Sequence, residues 1–172
     1  MGVVITQVAV VVRELEPAME AYHRILGWGP WRVYDFTDLP HTDTTVRGKP
    51  VDYTMRTAVT TVGGVDFELV EPGEGASQYR EFLAEKGGGL HHVMCRDDRE
   101  DADVTPRLLE HGLASLMGGS VGGAGASYAY FDGGPALGGL VLETMRQASD
   151  GTRLAPSYVV DHRVQGGPSF AR

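Results

Sequence analysis

Residues 65 to 96 read VDFELVEPGEGASQYREFLAEKGGGLHHVMCR. Within them one structural pattern ends and starts over. Val65 to Glu71 is a mostly apolar run with the composition of a buried strand, and it carries Glu68. Ser77 to Lys86 follows as a short helix, stopped by Gly87-Gly88-Gly89. Leu90 to Arg96 is again apolar and strand-like, and it carries the pair His91-His92.

Upstream, Val3 to Val12 is β-branched and apolar except at Thr6 and Gln7, which predicts another buried strand. Leu15, Met19, Tyr22 and Leu26 recur on one helical face, with Pro17 in the first turn and Gly27 at the stop. Trp31 to Phe36 is a short aromatic strand, and Thr37 to Lys49, polar and rich in Thr and Asp, is a predicted loop. Val51 to Thr60 and Val65 to Glu71 flank the hairpin turn Val62-Gly63-Gly64. Downstream of Leu90 to Arg96, a helix is predicted over Asp101 to His111, with Pro106 delaying its regular start. Three strands follow, at Leu113 to Met117, Ala126 to Phe131 and Gly139 to Met145. Each half is therefore β-α-β-β-β.

The predicted fold is α+β: two βαβββ modules, 3–72 and 88–146, joined by the helix 77–86. They form one domain, 1–146, with a cupped mixed sheet and helices outside. Residues 147–172 form a C-terminal tail, whose apolar Tyr158-Val159-Val160 is suited to strap onto a neighbouring surface.

Charge and composition restrict the function. With 15 Lys and Arg against 23 Asp and Glu, the chain has net charge -8, a poor match for nucleic acid or an anionic membrane. One cysteine, Cys95, excludes an internal disulfide and fits a reducing compartment. No run approaches the roughly 20 apolar residues of a membrane span. The expectation is a cytoplasmic protein acting on a small molecule. Short strands at the sheet edges, together with Trp28, Trp31 and the apolar tail segment, lead to the expectation of a homodimer.

The chemistry lies in the matching strands of the two halves. Their first strands align Thr6-Gln7-Val8 with His91-His92-Val93; their last strands align Phe67-Glu68-Leu69 with Leu142-Glu143-Thr144. Each half thus contributes one ligand-type side chain and one carboxylate. Strand alternation puts Gln7, Ala9 and Val11 on the concave face and Val8, Val10 and Val12 behind it. His91 and Cys95 then fall on the back face as structural residues. Carboxylates in such apolar strands are costly to bury without a shared cation. Gln7, Glu68, His92 and Glu143 therefore form a candidate metal site of oxygen and nitrogen donors, suited to zinc, cobalt, nickel, manganese or magnesium. Glu143 is the candidate base, and Glu68 a ligand and second base. Asp52, Tyr53, Arg56 and Tyr130 are candidate substrate-binding groups.

The βαβββ repeat, Phe67-Glu68-Leu69-Val70-Glu71-Pro72, Gly89-Leu90-His91-His92-Val93 and Gly138-Gly139-Leu140-Val141-Leu142-Glu143 resemble the vicinal-oxygen-chelate superfamily, and within it methylmalonyl-CoA epimerase. The resemblance covers residues 3 to 146 and implies a divalent metal on Gln7, Glu68, His92 and Glu143. The epimerases usually carry His where this chain has Gln7; the quartet Gln, Glu, His, Glu is that of the zinc-type glyoxalase I. The epimerases also use a Glu in the third strand as a second base, and Val51 to Thr60 contains none. What the resemblance implies is a metal-dependent isomerase or epimerase working by proton transfer beside a carbonyl. The alternatives are a glyoxalase I-like lyase and a metal-free binding or antibiotic-resistance protein. Gly118-Gly119-Ser120-Val121-Gly122 matches G-x-S-x-G but lacks the strand-to-helix context of a nucleophile elbow, and is expected to be a loop over the pocket.

Overall fold

The computed structural model describes residues 2–98, 103–121, 126–148 and 151–163. The first half contains β1 (Val3–Val11), α1 (Leu15–Leu26), β2 (Trp31–Asp35), β3 (His41–Val46), β4 (Lys49–Pro50), β5 (Met55–Val62) and β6 (Val65–Pro72). The linking helix is α2 (Gln78–Lys86). The second half contains β7 (Gly89–Asp97), α3 (Thr105–Glu110), β8 (Ala114–Val121), β9 (Ala126–Asp132) and β10 (Val141–Arg146), and β11 (Tyr158–Val160) follows. All eleven strands join one mixed sheet in the order β11-β2-β5-β6-β1-β7-β10-β9-β8-β3-β4. The fold is α+β, with a curled sheet and few helices.

The predicted duplication is explicit in the pairing. In the first half β1 runs parallel to β6, which pairs antiparallel with β5, and β5 with β2. In the second, β7 runs parallel to β10, which pairs antiparallel with β9, and β9 with β8. The halves meet where β1 and β7 pair antiparallel. The strands carrying Gln7, Glu68, His92 and Glu143 are thus the four central neighbours β6-β1-β7-β10.

The two faces of β1 separate two cores. Ala9 and Val11 face the cup and pack with Tyr79, Met117, Tyr128 and Tyr130. Val10 and Val12 face the other way, toward the cluster of Leu15 and Met19 from α1 with Trp31, Val33 and Leu69. Trp31, Leu15 and Leu69 are fully buried, and each such side chain contributes about 1.5–3 kcal/mol of hydrophobic stabilisation. α2 seals one side of the cup through Tyr79, 1% exposed, with Phe82 and Leu83 beside it.

Three segments differ from the sequence reading. Within the predicted loop 37–49, His41–Val46 is a strand that crosses to β8, tying the first half to the edge of the second. Thr42, Thr44 and Thr45 are β-branched, and Thr44 and Val46 are buried. The alternation is broken by Asp43, whose φ is 54°, where the register with β8 shifts. The predicted pocket loop at Gly118-Gly119-Ser120-Val121 is the end of strand β8; Gly122 lies outside the described residues. A Cβ on Gly119 would stand 2.9 Å from the Tyr128 hydroxyl, so the glycine makes room for that ring. Pro106 falls in the first turn of α3, which begins at Thr105; Asp101 lies outside the described residues.

The tail segment Tyr158–Val160 does strap a surface, and the surface is its own: β11 pairs antiparallel with β2. The β2 edge is therefore covered within the chain, and Trp31 and Trp28 pack in the core behind α1. The edge and tryptophan grounds for a homodimer fall away with this arrangement. Among the described residues no helix is long and apolar enough to cross a membrane.

Glu14 makes no side-chain cap at the start of α1. The role falls to Glu71 on the back of β6, whose Oε2 accepts from the Leu15 amide at 2.6 Å while Oε1 stands 3.5 Å from Arg56 Nε. Glu71→Ala should lower stability by about 1–2 kcal/mol, the cost of a lost helix cap made by a charged acceptor, with a weak ion pair to Arg56 beside it. Urea denaturation measures it; an unchanged midpoint would remove this anchor from the account.

Candidate active site

Side chains from the four central strands and α2 surround a cavity of about 600 Å³ inside the cup. Gln7, Glu68, Glu143, Tyr79 and Tyr130 line its inner part. Behind them lies His92, fully buried. The nearest oxygens of Glu143 and Glu68 are 3.1 Å and 3.7 Å from its Nε2. One ligand atom from each of Glu68, His92 and Glu143 falls within 4.8 Å of the other two. Gln7 joins them, its amide nitrogen donating to Glu68 Oε2 at 2.7 Å. A half-turn of that amide would present its oxygen instead.

The site's electrostatics fit a cation. His92 Nε2 and Glu143 Oε2 are buried and neither makes a hydrogen bond. Polar atoms left in that state are costly. Burial first, and the neighbouring Glu143 charge second, push the Glu68 carboxyl well above its ordinary value; hydrogen bonds from Thr57 and Gln7 offset this only in part. Two carboxylates and an imidazole nitrogen converging on one point are a donor set that could hold a divalent ion of the zinc, manganese or magnesium kind. On the far side of the ring, His92 Nδ1 lies 2.9 Å from His91 Nδ1. Burial, then the His92 charge, hold His91 down to about 3. A neutral His91 accepts the His92 Nδ1 proton and leaves Nε2 free to ligate, the usual outer support of a ligating histidine. The His91 ring packs against Tyr79 and Phe82 of α2.

A second network occupies the wall made by β9 and β3. His41 Nδ1 lies 3.1 Å from the Tyr53 carbonyl oxygen, and its Nε2 lies 2.6 Å from the Tyr128 hydroxyl. A carbonyl only accepts, and burial lowers the His41 pKa, so the neutral ring carries its proton on Nδ1. Nε2 must then accept from Tyr128, and the Tyr128 oxygen is left to accept from Tyr53, with which it is in close contact. Tyr128 is thus a cavity-lining hydroxyl whose proton points at a base. Beside it, Tyr79 donates to the Tyr130 hydroxyl at 2.6 Å, and Tyr130 stands edge-on to His92 at 4.8 Å between ring centroids.

The four substrate-binding candidates separate. Tyr130 lines the cavity. Tyr53 is 5% exposed, sits behind Tyr128, and is pushed by burial up to about 12. Asp52 is exposed between β4 and β5, outside the cavity lining. Arg56 is on the opposite face of the sheet: Met55, Thr57, Val59 and Thr61 line the cavity, so the residue between the first two points back, toward Glu16 and Glu71. Several lining residues were missed from sequence, among them Arg32, Tyr34, Asp66, Arg96 and Tyr128. Alternation was the available signal. Asp66 and Arg96 share strand faces with Glu68 and His92, and Arg32 and Tyr34 alternate with the buried Trp31 and Val33.

No curated protein matches the chain in sequence. Solved structures match its fold. A hypothetical protein from Bacillus halodurans is 16% identical with a TM-score of 0.62, the match covering 90% of this chain and 99% of that one. Methylmalonyl-CoA epimerase in complex with methylmalonyl-CoA and NH4+ is 20% identical, TM-score 0.57, covering 84% and 94%. Methylmalonyl-CoA epimerase from Mycobacterium tuberculosis is 22% identical, TM-score 0.54, covering 85% and 89%. The family description "Glyoxalase/Bleomycin resistance protein/Dioxygenase superfamily" matches residues 6–131. With its duplicated sheet and its Glu-His-Glu centre at the floor of the cup, the chain belongs to the glyoxalase/bleomycin resistance/dioxygenase superfamily.

Proposed function

We propose that the protein is a metal-dependent isomerase or epimerase that moves a proton beside a carbonyl of a small molecule presenting two chelating oxygens. The observation that carries this reading is the convergence of Glu68, His92 and Glu143 at the cavity floor, with His92 Nε2 and Glu143 Oε2 buried and lacking hydrogen bonds. Those three residues and Gln7 would hold a divalent cation, which supplies positive charge where an enolate oxygen develops. Glu143 accepts the α-proton at its carboxylate. Glu68, whose proton affinity burial raises, is the second proton-accepting carboxylate. Tyr128, backed by His41, adds a proton-handling hydroxyl where the third strand lacks a glutamate. The apolar wall of Met55, Val59 and Met94 excludes water from the reacting carbon. The likeness to methylmalonyl-CoA epimerase structures supports an acyl thioester as the first substrate class to test. The Gln, Glu, His, Glu quartet favours one further reading, a glyoxalase I-like lyase, which turnover of a glutathione hemithioacetal would establish.

The reading is tested by metal content and by proton exchange together. His92→Ala and Glu143→Ala should each lose most of the bound metal while keeping the circular dichroism of the parent, and Glu71→Ala should keep the metal. The metal-loaded parent should exchange the α-hydrogen of 2-substituted acyl thioesters such as methylmalonyl-CoA with D₂O. Full metal occupancy in either ligand variant, or turnover of a substrate with no solvent deuterium incorporated, contradicts the proposal.

The Glu68 shift sets a pH dependence. A carboxyl that holds its proton more tightly folded than unfolded stabilises the fold below its ordinary value of 4.5, and that contribution is lost as pH climbs through the raised folded value. Metal-free protein should therefore lose thermal stability with rising pH from about 4.5 upward. Zinc should restore more stability the higher the pH, releasing protons as it binds. Thermal denaturation with and without zinc across pH reads this directly; a zinc effect independent of pH would count against Glu68 as a ligand.

A further inference from the structure

The residues that follow β10 lie outside the stretch matched by the superfamily description, 6–131, yet they build part of the cavity. β10 and β11 stand six places apart in the order β11-β2-β5-β6-β1-β7-β10. The chain between them therefore travels from the second half of the molecule to the outer edge of the first. It makes the crossing on the concave side. Thr152, Arg153, Leu154 and Pro156 line the cavity, and Leu154 packs against the cup-face cluster that contains Phe36, Met55 and Tyr128. Exposure alternates accordingly: Arg153 and Ala155 are exposed, Leu154 and Pro156 half-buried. A span one residue thick thus closes part of the cup that the strands leave open.

The span is fastened at its ends. On one side Ala148 is buried, and the Gly151 amide donates to its carbonyl at 3.1 Å. On the other, the Ser157 amide donates to the Val33 carbonyl at 2.7 Å, and the Ser157 hydroxyl accepts from the Asp35 amide at 3.0 Å. β11 then pairs with β2, and Val160 is buried in the cluster of Leu15, Met19 and Trp31. Beyond it the His162 ring stacks on His23 of α1, 5.2 Å between centroids. Among the described residues, 153–156 make no hydrogen bond. Apolar packing around Leu154 is what holds the middle of the span against the cup. A segment fixed at both ends and held between them by packing alone can yield locally while its ends stay bound.

We propose that residues 152–156 are the cover of the cavity and set the size of what enters it. Molecules, or ends of molecules, slender enough to pass Leu154 reach the inner centre, and bulkier ones are held back. Selection then resides in a segment that this chain adds to the shared fold, on a rigid frame supplied by the repeat. The proposal rests on the reading of the cavity as a substrate site and concerns entry rather than chemistry.

Thiol labelling of the full chain tests this without a known ligand. Val59 lines the cavity on β5, between Arg32 and Glu68, and Val59→Cys places a thiol there. The parent, whose Cys95 is buried, supplies the background. The probes are methyl methanethiosulfonate and a dansyl-bearing methanethiosulfonate, each rate taken relative to that reagent's rate with free cysteine and read by mass spectrometry. With the native span, the dansyl reagent should label about tenfold more slowly than the methyl reagent, or slower still. Replacing residues 152–156 by glycine and serine should remove that difference. Leu154→Ala, the milder change should the larger one fold poorly, should reduce it about threefold or more. Ala155→Trp, on the outer side, should leave it unchanged. Equal relative rates with the native span, or a difference that survives both replacements, overturns the cover. The expected labelling in a protein that exchanges no α-hydrogen when loaded with metal would uphold the cover and count against the isomerase reading. Proton exchange without the labelling contrast would do the reverse.

Discussion

Two carboxylates and one imidazole buried within a few ångströms of one another are the constraint around which the rest of the cup is arranged. Glu68 and Glu143 repel each other, both are held away from water, and His92 between them has no hydrogen bond at the nitrogen that faces them. Such a cluster is destabilising as a bare assembly of charges. A divalent cation would replace the missing partners and make the cluster favourable, the sense in which these three residues could hold an ion rather than serve as core. The surrounding features serve that arrangement. His91 accepts from the back of the His92 ring, Gln7 and Thr57 address Glu68, and Tyr130 closes the ring edge.

The duplicated topology explains how a small chain assembles this centre. Each half pairs its first strand in parallel with its last, and the halves join through their first strands. The four strands that carry Gln7, Glu68, His92 and Glu143 are consequently adjacent, and those side chains meet in the cup. The same frame lets the segments outside the repeat set the rest of the cavity. β3 leaves the first half and pairs with β8 of the second, bringing His41 to Tyr128, while the segment before β11 brings Arg153 and Leu154 to the cavity wall. The central cluster belongs to the repeat, and part of the cavity wall to what was added to it.

The same division separates what could be read in the sequence from what could not. The repeat was legible because its strands are largely apolar and β-branched with ligand-type residues at matching places, and because glycines end the first helix and the linking helix: Gly27 and Gly87 both adopt the left-handed conformation required there. Glu68, His92 and Glu143 stood out for the same reason, as charged or polar residues in strands otherwise unsuited to them. β3 was not legible, since HTDTTV is polar and its alternation breaks at the Asp43 bulge. Gly118 and Gly119 looked like a loop because glycine propensity was read without β9 beside them: a Cβ on Gly118 would crowd the Tyr128 carbonyl oxygen, and one on Gly119 the Tyr128 ring. Arg56 was misplaced through parity: it differs by one position from the lining residues Met55 and Thr57, and a single step along a strand reverses the face. Arg32 and Arg96 show the converse, since alternation from buried Trp31 and parity with His92 would have found them.

Anomalous diffraction from a crystal of the metal-loaded protein, collected at the absorption edge of the bound ion, addresses the central claim most directly. The account predicts one strong peak inside the cup, bounded by the carboxylates of Glu68 and Glu143, His92 Nε2 and the amide oxygen of Gln7. A peak elsewhere, or none at this position in protein shown to carry metal, would contradict it.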